Sequence, residues 1–72
     1  MVQEDQRHRL LKSKLVVLIA MYFGDRTAEL YRASYTDMPI EFVEKSTEKL
    51  LTEYLGADRA RALINEVKTN DL

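Results

Sequence analysis

Nine consecutive residues, Leu15 to Phe23, carry no charge; Lys14 precedes them and Gly24-Asp25-Arg26 follows. A segment apolar on every side must be covered on every side, by its own chain or by another copy. That requirement limits the architectures open to this chain more than any other feature does. Leu10, Leu11, Lys14, Leu15, Leu18, Met21 and Tyr22 follow helical spacing and predict a first helix over residues 3–23. Val16, Val17 and Ile19 would also suit a buried strand, but the chain offers no second strand to pair with it. Gly24 is placed to stop the helix.

The same stretch is about half the length needed to span a bilayer as a helix. Basic residues precede it, as in a signal peptide, but no small-x-small cleavage site follows. The expectation is a cytoplasmic protein with no membrane association.

Beyond Gly24, Asp25 or Thr27 can cap a short second helix over residues 26–34. Leu30, Tyr31, Ser34 and Tyr35 form its expected inner face. Pro39 breaks the chain: it disfavours helical geometry at Met38 and suits the first turn of a new helix. The third helix, 39–55, carries Ile40, Val43, Thr47, Leu50, Leu51 and Tyr54 on one stripe, with charges opposite. Gly56 ends it in a left-handed conformation, and a fourth helix over 58–69 turns Ala60, Leu63, Ile64 and Val67 inward. So short a turn implies an αα-hairpin. The predicted fold is all-α, a small bundle of three long helices plus one short helix, with a C-terminal αα-hairpin. It forms one domain, 1–72, with residues 1–5 and 70–72 frayed. No internal repeat is apparent.

A chain of 72 residues has room for one small core and hides roughly 60% of its unfolded surface, so its stability is marginal. With no cysteine it has no disulfide or thiolate metal site, and its single histidine, His8, cannot build an imidazole one. No metal or cofactor is expected. Association and good packing remain as sources of stability. The net charge of −1 offers no general attraction to nucleic acid, although residues 1–14 hold four basic side chains against Glu4 and Asp5.

Catalysis needs titratable groups that converge. Glu41, Glu44, Glu48 and Glu53 instead alternate with lysines along an exposed face, so no enzyme is expected. Five of the six aromatics lie between Tyr22 and Phe42, which suits a core or an interface. The expected function is a non-catalytic helical protein-interaction module, a homodimeric adaptor or regulatory subunit that binds itself and another protein. Its interface would be Val16, Ile19, Ala20 and Phe23, which point away from the stripe of Leu15, Leu18 and Tyr22. The alternative is a small helical nucleic-acid-binding regulator that uses helices 39–55 and 58–69, with Arg59, Arg61, Asn65 and Lys68 as contacts. Asp58 and Glu66 on the same helix would repel phosphates, so nucleic acid ranks second. A third class is a subunit whose activity resides in a larger partner.

Overall fold

The computed structural model describes the backbone of residues 2–69 and the side chains of 7–69. Of the residues expected to fray, 1–5 and 70–72, residues 2–5 belong to the first helix, while Met1 and 70–72 lie outside the described residues. Four helices account for almost all of the rest: α1 (Val2–Phe23), α2 (Asp25–Tyr35), α3 (Ile40–Leu55) and α4 (Ala57–Thr69). Each boundary falls within one residue of the sequence expectation. The Cα radius of gyration, 11.5 Å, matches the roughly 11 Å of a folded globule this long. The single chain therefore closes on itself.

Both glycines act as complete junctions. The Gly24 amide donates to the Ala20 carbonyl (2.9 Å) to finish α1, and its carbonyl accepts from Ala28 (3.1 Å) to start α2. Gly56 does the same between Thr52 (2.8 Å) and Ala60 (3.0 Å). Their backbones nearly coincide, φ 98° and ψ 162° against φ 95° and ψ 156°. The positive φ expected at Gly56 is present, but its ψ is extended rather than helical. This region is essentially closed to residues with a Cβ.

The junction also corrects the expected cap of α2. Gly24 holds the N-cap position and no side chain bonds the first-turn amides. Asp25 falls inside the first turn, where its charge suits the helix dipole. Pro39 likewise precedes α3 rather than opening it, and its carbonyl accepts from both Phe42 and Val43 at 3.0 Å.

Inside, α1 is central and touches all three other helices. Its Leu11, Leu15, Val16, Leu18 and Ile19 pack with Ala28 and Tyr35 of α2, Val43 and Leu51 of α3, and Ala60 and Ile64 of α4. On α2 the inner face is Ala28 and Tyr35; Leu30 and Ser34, expected inside, are exposed. The core includes one polar tie between α2 and α3. Thr47 donates to the Val43 carbonyl (2.9 Å), so the Tyr35 phenol donates to Thr47 Oγ1 (2.8 Å) and also lies 3.2 Å from Ser46 Oγ. Both Tyr35 and Thr47 are fully buried, and no buried side-chain polar atom among the described residues lacks a partner.

A correspondence missed in the sequence emerges from this packing. The two glycines stand 32 positions apart (56 − 24), and eight of the twelve buried residues pair at the same offset. Leu11 matches Val43, Leu15 matches Thr47, Ile19 matches Leu51 and Ala28 matches Ala60, all of them buried. Tyr22 and Tyr54, each two residues before its glycine, are also matched. Their rings meet edge to face at 6.1 Å. Too few residues are identical across the offset for the repeat to show as sequence similarity.

Candidate functional site

The four side chains expected to form a seam are not the exposed ones. Val16 is 6% exposed and Ile19 0%, both within the core of the single chain. Ala20 and Phe23 are half-buried against it, and the Tyr54 ring lies 5.2 Å from that of Phe23. The reason is the central place of α1: three helices surround it where the sequence suggested that one stripe would flank it. Burial of Val16 and Ile19 rotates the outward face by one residue.

That outward face is Leu10, Lys14, Val17 and Met21, with Leu10 49%, Val17 56% and Met21 70% exposed. Steps of four, three and four residues keep these positions on one side of the helix. Beside them α4 brings Leu63 and Val67, and the two helices enclose a shallow groove of about 330 Å³. Its floor is Val17, Leu18, Met21, Leu63 and Val67; Lys14 and Glu66 are its only charged lining residues.

A second and larger cleft, about 790 Å³, opens on the other side of Val17. α1 contributes His8, Arg9, Lys12 and Val16, and α2 contributes Arg32 and Tyr35. The turn after α2 adds Thr36 and Met38, and Ile40 of α3 closes it. The Lys12 ammonium donates to the Thr36 carbonyl at 3.4 Å.

The basic residues of α4 are arranged differently. Arg61 lies 3.6 Å from Glu48, and Lys68 donates to Glu44 at 3.3 Å. Two of the four residues of the nucleic-acid alternative are thus occupied with carboxylates of α3, while Arg59 and Asn65 are exposed. Neither pair is buried, so each contributes at most about 1 kcal/mol. Among the described residues no group of histidine, aspartate and glutamate is placed to hold a metal ion, and no helix is long and apolar enough to cross a membrane.

No known family, curated protein or solved structure matches this chain.

Proposed function

We propose that this chain is a non-catalytic, cytoplasmic protein-interaction module that acts as a homodimeric adaptor or regulatory subunit. In this reading the helices form two αα-hairpins, α1–α2 and the C-terminal α3–α4, and the outward face of α1 with the α4 edge is the seam between copies. One observation carries it: Leu10, Val17 and Met21 stand exposed in one line beside the apolar groove of α1 and α4. Fully burying a valine or methionine side chain is worth about 1.5–3 kcal/mol, so covering half-exposed ones recovers part of that at each position.

A second copy fits this surface better than an arbitrary partner does. The four–three–four spacing of Leu10, Lys14, Val17 and Met21 is that of a coiled-coil seam, and a single polar residue within such a seam sets its register. A twofold contact would set the same rim charges, Lys14 and Glu66, on both sides of the seam.

The test is molecular mass by light scattering across a wide range of protein concentration. The expected result is twice the chain mass, reduced to one chain mass by Met21→Glu with the helical signal unchanged. A single-chain mass at every concentration would overturn the dimer.

A further inference from the structure

We infer that the cleft between α1, α2 and the start of α3 binds a small organic anion: an anionic head, phosphate or carboxylate, on an apolar body. The inference is independent of the dimer, since it concerns the opposite side of Val17. Charge is the first argument. Arg9, Lys12 and Arg32 reach the cleft from two helices, and among the described residues no acidic side chain lines it, although the chain as a whole is net acidic. Their local neutralisation is slight. Lys12 makes one long bond to a backbone carbonyl, and Arg32 pairs with Glu29 at 3.7 Å where both side chains are about two-thirds exposed. Exposed pairs of that kind are weak. Cations gathered from separate helices repel one another, and an anion placed between them converts that repulsion into binding.

The walls and dimensions supply the rest of the description. Val16, Met38 and Ile40 give the cleft an apolar floor, which a bare inorganic anion would leave wet. At about 790 Å³ it falls within the 300–1,000 Å³ typical of small-molecule sites. Its wall on α1 runs from His8 to Val17, about 14 Å at 1.5 Å per residue. That length suits a molecule of nucleotide or medium-chain acyl size. A nucleic-acid backbone calls for a basic stripe along a groove or surface, and this site is a short concavity.

The test uses the intact chain and the dye 8-anilinonaphthalene-1-sulfonate, an apolar body with one anionic group. Its uncharged counterpart, N-phenyl-1-naphthylamine, is the control. Saturable one-site binding of the sulfonate is expected, at least tenfold tighter than that of the neutral dye. Lys12→Glu and Arg32→Glu, each at a solvent-accessible position, should separately weaken it at least tenfold with the circular dichroism unchanged. Met21→Glu, in the other groove, should leave it unaltered. Octyl phosphate and octanoate as competitors then identify the head, because the stronger displacer carries the preferred group. Equal binding of both dyes, indifference to both charge reversals, or failure of both competitors overturns the assignment. So does displacement of the dye by duplex DNA at physiological salt, which would give the cleft to a nucleic acid.

Discussion

The two halves of the molecule, α1–α2 and α3–α4, solve the same packing problem with different side chains. At matched inner positions they agree: Ile19 and Leu51 are both fully buried, and the small residues Ala28 of α2 and Ala60 of α4 are buried as well. At two matched outer positions they diverge, whereas Leu10 and its match Phe42 are both exposed and apolar. Where α1 exposes Val17 and Met21, α3 exposes Lys49 and Glu53. The fold therefore accepts charge at these places, and apolar residues on the outside of α1 are not a requirement of the bundle. The molecule contains its own control for what packing demands. What α1 carries beyond that demand is the basis for assigning its outer face to an interaction.

The agreement of the inner faces can be broken most severely by charge. Ile19→Asp and Leu51→Asp each bury a carboxylate with no partner, a cost of several kcal/mol. A domain of this size has roughly 4–11 kcal/mol of stability in all. Both variants should lose cooperative thermal unfolding, and a melting temperature within a few degrees of the parent for either would refute its matched place in the core.

Next in size are the junctions. In Gly24→Ala and Gly56→Ala the added Cβ meets no neighbouring atom within 4 Å, so their cost is backbone strain alone. About 1–3 kcal/mol is expected for each, and nearly the same for both. Denaturant titrations that gave one a normal stability and the other a large loss would show that the two junctions are not equivalent.

Among the four matched pairs buried on both sides, one sets an apolar residue against a polar one, Leu15 against Thr47, and that difference is tied to Tyr35. Thr47→Val removes the acceptor at 2.8 Å and leaves the buried phenol only its longer approach to Ser46, at about 1–2 kcal/mol. Adding Tyr35→Phe should recover much of that loss, because no polar group is then stranded. A double-mutant cycle measures this directly, and additive losses would rule out the coupling. The smallest effect on the fold is expected from copying α3 onto α1. Val17→Lys with Met21→Glu should change monomer stability by no more than about 0.5 kcal/mol while abolishing self-association. If the copied charges unfold the chain, the outer faces are not interchangeable and the comparison fails.

Much of this was legible in the sequence. Stripes spaced by three and four located α3 and α4, and glycine and proline marked the breaks. The orientation of α1 was not legible, for a physical reason. A helix apolar all round has no phase in its pattern, so nothing local decides between Val16 and Val17 as the outward residue. That choice is made by the three helices packed around it. Leu30 was misplaced for a related reason: on a helix as short as α2, Ala28 can take the inner position because a small residue brings two helices together. The basic cleft was hidden as well, since Arg9 and Lys12 are more than 19 residues from Arg32 in the chain and meet only in the fold.

The one-residue junctions also govern how the chain finds its structure. Joining two helices across a single glycine requires almost no closure of a loop, so each half can form from contacts close in sequence. Chains dominated by such contacts fold in microseconds to milliseconds. Only the meeting of the halves spans a longer connection, the turn from Thr36 to Pro39, and it is there that the Tyr35 phenol finds Thr47. Amide exchange in the native state should accordingly divide the molecule into two cooperative blocks, each ending where its glycine-joined helices end.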